Sequence, residues 1–221
     1  MFFLPFSAII FIIFVLLLPI IFVLISVGAV GVAFQKLGMS PQTGLTFFLL
    51  SLFGGMINIP IKKKSVELPL EELEINSWYR FFFGVKPQFL QQQVLAINVG
   101  GCVLPVILCL YLFPKVPLIP TCIGILVMSA IAKLIARPTP GIGIAIPAFI
   151  PPIVSAILAL LLARDKAAPV AYIIGVMGVL IGADLLNIKI IQKFGRGVMS
   201  IGGAGVFDGI YLVGIIAVLI T

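Results

Sequence analysis

Two aspartates, Asp184 and Asp208, lie in segments that are otherwise almost wholly apolar. Inserting an ionised carboxylate at the centre of a membrane costs at least about 2.5–3.5 kcal/mol, so a residue of this kind is by default a functional candidate. Two carboxyl groups a few ångströms apart cannot both ionise cheaply, and one of them keeps its proton. Such a pair can activate a water molecule and protonate a leaving group, which is the chemistry of an aspartyl protease.

The chain of 221 residues contains no histidine. This absence excludes hydrolysis by a serine–histidine pair, metal sites of the His-Glu-x-x-His kind and haem held by histidine. The cysteines Cys102, Cys109 and Cys122 all lie in apolar runs and are interpreted as small buried hydrophobic residues. Because an acid pair needs neither histidine nor metal, the sequence predicts no metal site and no cofactor.

The elements that must position these aspartates are apolar helices. Hydrophobic residues make up 62% of the chain and charged residues 10%, and apolar stretches of about 20 residues recur from end to end. This pattern predicts an all-α fold, a polytopic transmembrane bundle that forms one integral membrane domain over residues 1–221. We expect about seven spans, at residues 3–34, 43–61, 92–113, 117–136, 141–163, 168–188 and 198–220.

Basic residues predict the orientation of these spans. Ten of the fourteen lysines and arginines fall in or beside the second, fourth and sixth loops. The positive-inside rule therefore predicts a cytoplasmic N-terminus and a C-terminus outside. The one sizeable polar segment, residues 62–91, is predicted to be a cytoplasmic loop on the membrane surface. It is interpreted as a solvated connector, with a lid or a substrate-docking element as the alternative.

The two aspartates belong to adjacent antiparallel spans joined by a short loop, and so to the same half of the bilayer. A straight helix with a rise of 1.5 Å per residue would leave Asp208 roughly 10 Å deeper than Asp184. Gly202, Gly203 and Gly205 can loosen the helix or allow close approach of a neighbour, either of which reduces that offset. Ordinary packing of small residues is the alternative interpretation.

Other polar residues fall on the same predicted side of the membrane. They predict a polar cavity that opens to the cytoplasm, lined by Asn58, Asn98, Arg137, Thr139, Pro147 and Asn187, together with the two glycines Gly203 and Gly205. Residues 137–152 are rich in proline and glycine and cannot form a regular helix. We expect a broken helix or re-entrant segment there, which is tolerated where it lines a cavity or is buried in protein.

The segment GAGVFDGIYLVG, Gly203 to Gly214, resembles the G-x-G-D segment of the presenilin, signal-peptide-peptidase and prepilin-peptidase group. That group pairs such an aspartate with a second one on the preceding span. The resemblance implies that Asp184 and Asp208 are the catalytic residues. Two residues, Val206 and Phe207, separate Gly205 from Asp208, whereas that group has glycine directly before the aspartate.

Over its whole length the chain resembles a prokaryotic multi-pass membrane family known as a domain of unknown function, number 1614. The segments that carry this resemblance are PGIGIAIPAFIPP, GADLLNI and SIGGAGVFDGIYLVGIIAVL. It implies a multi-pass protein of a prokaryotic plasma membrane and brings no activity with it.

Three functions stay open at this point. The first is an intramembrane aspartyl protease that acts on a membrane protein or peptide. The second is a secondary transporter, a permease coupled to a cation or a proton that binds at the same aspartates. The third is a non-catalytic scaffold or lipid-binding bundle, in which the aspartates pair with Lys133, Arg137 or Asn98. All three imply the lipid bilayer as a partner and no nucleic acid, and the oligomeric state stays open.

Overall fold

The computed structural model describes residues 26–67, 90–139, 143–190, 198–203 and 209–221. Within these ranges the chain is mostly helical, which confirms the predominantly α character expected from the sequence. The helices are α1 (residues 26–36), α2 (Pro41–Gly54), α3 (Leu104–Leu112), α4 (Leu118–Ile135), α5 (Ile150–Leu162), α6 (Ala167–Val179) and α7 (Gly209–Ile220).

Local signals in the sequence account for where α2 begins and α4 ends. The Ser40 hydroxyl accepts a hydrogen bond from the backbone N–H of Thr43, and Pro41 occupies the first helical position, where no N–H is needed. Helix α4 ends at Ile135, two residues before Arg137. Because Pro138 disfavours helical backbone at the residue before it, the chain leaves the helix there in extended form.

In the described part of the chain, two helical segments are long and apolar enough to cross a membrane, Leu118–Ile135 with 18 residues and Arg164–Ile190 with 27. They coincide within a few residues with the predicted spans 117–136 and 168–188. The second segment is the more buried, because α6 lies at the centre and contacts α3, α4, α5 and α7. Two shorter apolar helical segments, Val99–Lys115 and Ile150–Leu162, pack beside it.

Two glycines allow the helical segment Arg164–Ile190 (the α6 segment), which contains α6, to lie directly against α4. A Cβ atom at Gly178 would lie 2.5 Å from Cγ of Met128, and one at Gly182 would collide with the backbone carbonyl oxygen of Ser129. Small residues four positions apart are typical of helices that approach each other closely in membranes. This contact holds the end of the α6 segment, where Asp184 lies, against α4.

Within the described ranges, five strands accompany the helices. Strands β1 (Asn58–Glu67), β2 (Leu90–Asn98) and β5 (Val198–Ile201) form one sheet in the order β1-β2-β5. Strand β2 runs antiparallel to β1 and parallel to β5. Strands β3 (Arg137–Thr139) and β4 (Gly143–Ala145) form a separate antiparallel ribbon.

The sheet corrects the all-α prediction. Each of three predicted spans joins a helix to a strand: residues 43–61 continue from α2 into β1, residues 92–113 begin in β2, and residues 198–220 begin in β5. A short apolar run fits a buried strand as well as a helix, because hydropathy alone does not separate the two. Contrary to the prediction, these three runs are therefore not helical throughout, and their role as membrane spans stays a prediction.

In the segment 137–152 no regular helix is described before Ile150, as its proline and glycine content predicted, while its re-entrant location stays a prediction. Its first part is the β3–β4 ribbon, and its last residues already belong to α5. The ribbon satisfies the backbone groups that a helix rich in proline cannot pair. In the predicted loop 62–91, residues 62–67 and 90–91 are strand, and residues 68–89 lie outside the described ranges.

The ends of α1 and α7 lie together. The Lys36 ammonium donates hydrogen bonds to the carbonyl oxygens of Val218, at 3.4 Å, and Leu219, at 3.1 Å. The last carbonyls of a helix have no partner within it and form the negative end of its dipole, so a cation is stabilising there. The turn after α1 and the end of α7 therefore lie on one side of the bundle.

Replacing Lys36 with methionine is expected to lower the free energy of unfolding by about 0.3–1 kcal/mol, because the carbonyls at the end of α7 lose their cation. Denaturant unfolding followed by circular dichroism measures the change. Lys63→Met, at an exposed position in β1, is the control. Equal losses in the two variants would contradict a specific contact between Lys36 and α7.

Candidate functional site

Polar side chains gather where the sheet meets the end of the α6 segment. Asn58 is the first residue of β1, Asn98 is the last of β2, and Ser200 lies in β5. Helix α6 continues into a π-helical segment, Leu180–Leu185, which contains Asp184. We call Asn58, Asn98, Asp184, Ser200 and Gly202 the polar cluster.

Asn98 is the most enclosed member of the polar cluster, with no exposed surface. Its side-chain nitrogen donates to the carbonyl oxygen of Gly55 at 2.7 Å and to Oδ1 of Asn58 at 3.1 Å. Its Oδ1 accepts from the N–H of Gly101 at 2.8 Å and so caps a second π-helical segment, Val99–Val103. One amide therefore ties together the end of α2, the start of β1 and the segment before α3.

Asn58 extends this network to the third strand. Its Oδ1, which accepts from Asn98, also accepts from the hydroxyl of Ser200 at 2.6 Å. Strand β2 lies between β1 and β5, so the Asn58 side chain reaches across it. The register of Ser200 opposite Ala96 in β2 is thus supported by a side-chain bond to β1.

Asp184 meets the residues that follow β5. Its Oδ2 accepts a hydrogen bond from the N–H of Gly202 at 2.8 Å, and the carboxylate is partly buried. Gly202 and Gly203 both have φ of +86°, a conformation that favours glycine. A Cβ at Gly202 would also lie 2.6 Å from Cβ of Cys102, so only glycine fits between Asp184 and the π-helical segment before α3.

Asn187 was predicted to line the cavity, and in the structure its side chain binds backbone carbonyls of its own helical segment. Its side-chain nitrogen donates to the carbonyl oxygens of Gly182, at 3.1 Å, and Ala183, at 2.9 Å. These carbonyls lie in the π-helical segment around Asp184, where the regular helical pairing is interrupted. Asn187 is buried and supports the backbone that carries the aspartate.

Of the other predicted site residues that the structure describes, three lie in a different part of the structure and Gly203 lies beside the polar cluster. Arg137 and Thr139 are in β3, paired with Ala145 and Gly143 of β4. Pro147 is exposed and precedes α5. Gly203 follows Gly202 beside the polar cluster.

The structure therefore brings Asn58 and Asn98 into contact and places Asp184 against Gly202. Gly205 and Asp208 lie outside the described residues, so the meeting of Asp184 with Asp208 stays a prediction. In the part of the chain that the structure describes, no three histidine, cysteine, aspartate or glutamate residues are placed to hold a metal ion.

Ser200 is the member of the polar cluster that sequence reasoning missed. It stands in VMSIGG, where the neighbouring residues are apolar or glycine. The sequence offered one indication of this position. A short run of apolar residues with a single hydroxyl, followed by two glycines, favours a strand that ends in a turn. Its partner, Asn58, is far away in the sequence, and nothing local indicates the pairing.

A family model described as "Protein of unknown function (DUF1614)" matches residues 52–220. The matched range includes every member of the polar cluster as well as Asp208. No curated protein and no solved structure matches the chain. Because the match covers well over half of the sequence, the chain belongs to the DUF1614 family of proteins of unknown function.

Proposed function

We propose that this protein is an intramembrane aspartyl protease in which Asp184 and Asp208 form the catalytic pair. The observation that carries the proposal is the hydrogen bond from the Gly202 N–H to Oδ2 of Asp184. It ties Asp184 to the glycine-rich segment that leads, six residues later, to Asp208. The proposal requires these two carboxyl groups to meet, and this contact is the reason to expect it.

A multi-pass location in the membrane is part of the proposal. Helix α4 exposes large apolar side chains that water would solvate poorly, among them Ile119 (75% exposed), Leu126 (70%) and Leu134 (84%). Lipid chains would cover these surfaces at no such cost. We place the N-terminus in the cytoplasm and the C-terminus outside, from the distribution of lysine and arginine, in what the family resemblance suggests is a prokaryotic plasma membrane.

The chemistry follows from two carboxyl groups that share one proton. The ionised group takes a proton from a water molecule, which attacks the carbonyl carbon of the scissile peptide bond. The protonated group donates to the carbonyl oxygen, and proton transfer to the leaving nitrogen then completes cleavage. Because the Gly202 N–H binds Oδ2 of Asp184, the mechanism assigns the other oxygen, Oδ1, to the water and the partner carboxyl.

Purified protein in detergent, incubated with a panel of fluorogenic transmembrane peptides, tests the proposal. We expect the wild type to cleave at least one of the peptides. Asp184→Asn and Asp208→Asn should each lower the cleavage rate by a factor of about 100 or more, because an amide cannot replace the carboxyl in proton transfer. Asp165→Asn is the matched control, since this aspartate lies exposed in the turn before α6. Mass spectrometry of the products identifies the cleaved bond.

Equal cleavage rates in Asp184→Asn and Asp165→Asn would contradict the proposal. So would a wild-type protein that cuts none of the peptides. If Asp184→Asn changes only the thermal stability, the scaffold hypothesis is the one supported.

The second candidate, a permease coupled to a cation or a proton, is favoured by one observation of its own. Both segments next to the polar cluster, Val99–Val103 and Leu180–Leu185, depart from regular α-helix. Interrupted helices offer backbone carbonyls that coordinate ions in transporters. A proton or cation flux in proteoliposomes that is lost in Asp184→Asn, without peptide cleavage, would select this function.

A further inference from the structure

Strand β5 must be held in one register for Asp184 to keep its hydrogen bond. The donor is the N–H of Gly202, the first residue after β5. A shift by one residue would present a different N–H to Asp184 and turn the side chains of β5 to the opposite face. It would also bring a residue with a Cβ, or a different glycine, against Cys102, where the space at Gly202 admits no Cβ.

The backbone ladder alone gives β5 modest support. The strand has four residues, and its described pairing is with β2, in parallel. Parallel pairing is slightly less stable per residue than antiparallel pairing. Ser200, two residues before Gly202, adds a side-chain hydrogen bond of 2.6 Å from its hydroxyl to Oδ1 of Asn58.

Asn58 is itself held firmly. Its Oδ1 is shared between Ser200 and Asn98, and the Asn98 amide is bound in turn to Gly55 and Gly101. A continuous path of hydrogen bonds and strand pairing thus runs from the end of α2, through Asn98, Asn58 and β5, to the carboxylate of Asp184.

We infer that Asn58 and Ser200 are positioning residues for Asp184, which fix the register of β5 and thereby the Gly202 N–H that orients the carboxylate. The catalytic meaning of this inference rests on the proposed protease function. The positioning itself is measurable without any substrate.

The variants Ser200→Val and Ser200→Thr provide a matched pair, because the two side chains have the same shape and both suit a strand, while only threonine keeps the hydroxyl. Hydrogen exchange of the backbone amides, measured by mass spectrometry or NMR on the full chain, reports on Gly202. We expect exchange at Gly202 to become at least about tenfold faster in Ser200→Val, since the bond that holds the register is lost. Ser200→Thr should restore slow exchange.

Amides of α6 (Ala167–Val179) serve as the internal control and should exchange at the wild-type rate in both variants. Two outcomes would overturn the inference. One is equal exchange at Gly202 in the valine and threonine variants. The other is acceleration of the α6 amides by the same factor as Gly202, because Ser200 would then stabilise the fold as a whole.

Peptide cleavage supplies the second readout. Ser200→Val is expected to lower kcat about tenfold and leave KM near its wild-type value, since the substrate is not touched and only the orientation of Asp184 changes. Loss of activity through a raised KM alone would contradict a positioning role. A wild-type protein that cleaves nothing, combined with the expected exchange pattern, would overturn the protease and leave the positioning of Asp184 intact.

Discussion

Alanine at Gly100 is expected to prevent this protein from folding. A Cβ at this position would collide with the carbonyl oxygen of Ser51 and the backbone nitrogen of Gly55, and would lie 2.8 Å from Cα of Gly55. All three are backbone atoms at the end of α2, so no side-chain rotation relieves the collision. The same contact includes a buried hydrogen bond of 2.6 Å from the Ser51 hydroxyl to the Gly100 carbonyl oxygen.

We expect Gly100→Ala to cost more than about 4 kcal/mol, a loss that approaches the whole stability of many proteins. Size-exclusion chromatography in detergent and thermal unfolding measure the yield and stability of folded protein. Gly28→Ala is the control, because Gly28 lies in α1 and, among the described residues, no atom beyond its own stretch of helix lies within 4 Å of an added Cβ. Alanine there should be neutral or stabilising by about 0.5–1 kcal/mol, as expected in a helix. Equal stability of the two variants would contradict the close approach of α2 to the Val99–Val103 segment.

Asn98→Ala is the second change with a large expected effect. It removes the partners of the Gly55 carbonyl and the Gly101 N–H, and one of the two donors to Asn58. Because Asn98 has no exposed surface, water does not replace these bonds in the folded state. At about 1–3 kcal/mol for each buried polar group left unpaired, we expect a total loss of about 3–5 kcal/mol.

Ser51→Ala is the graded comparison for Asn98→Ala. It removes one buried hydrogen bond in the same region, the one to Gly100, and should cost about 1 kcal/mol. Denaturant titration followed by circular dichroism gives both free energies of unfolding. Similar losses in the two variants would show that Asn98 does not join α2, β1 and the Val99–Val103 segment as a unit.

The sequence predicted the helical part of the fold well where an apolar run had clear ends. Helix α4 is bounded by Pro117 at one end and Arg137-Pro138 at the other, and its predicted span differs by one residue at each end. The α6 segment is similarly bounded by basic residues. These limits are local, so a local pattern was sufficient to find them.

Strands β2 and β5 could not be predicted in this way. Their paired residues, VLAI in β2 and VMSI in β5, are apolar apart from Ser200 and precede apolar helical sequence, so hydropathy merges strand and helix into one run. What makes them strands is the pairing of β2 with both β1 and β5, and these partners are distant in the chain. Such pairing depends on tertiary contacts that no local window contains.

In the candidate site, too, features that depend on the local sequence could be predicted, whereas contacts that depend on the sheet could not. Asn58 and Asn98 were expected to line one cavity because both fall on the same predicted side of the membrane, and the structure joins them directly. The contact of Ser200 with Asn58 depends on the sheet and was not anticipated. The role of Asn187 was within reach, because an amide four residues after Ala183 can bond the carbonyl of its own helix.

The parallel pairing of β2 with β5 has a consequence for how the protein is made. Strands β1 and β2 can pair once Asn98 has left the ribosome, whereas β5 is synthesised roughly 5–20 s later at about 5–20 residues per second. Helices α3 to α6 are all translated during that interval, and Asp184 with them. The group that orients Asp184 arrives only with Gly202, so a nascent chain carries an unoriented carboxylate until β5 has docked. Biosynthesis thus delays the contact between Asp184 and Gly202 until every helix before α7 has been synthesised.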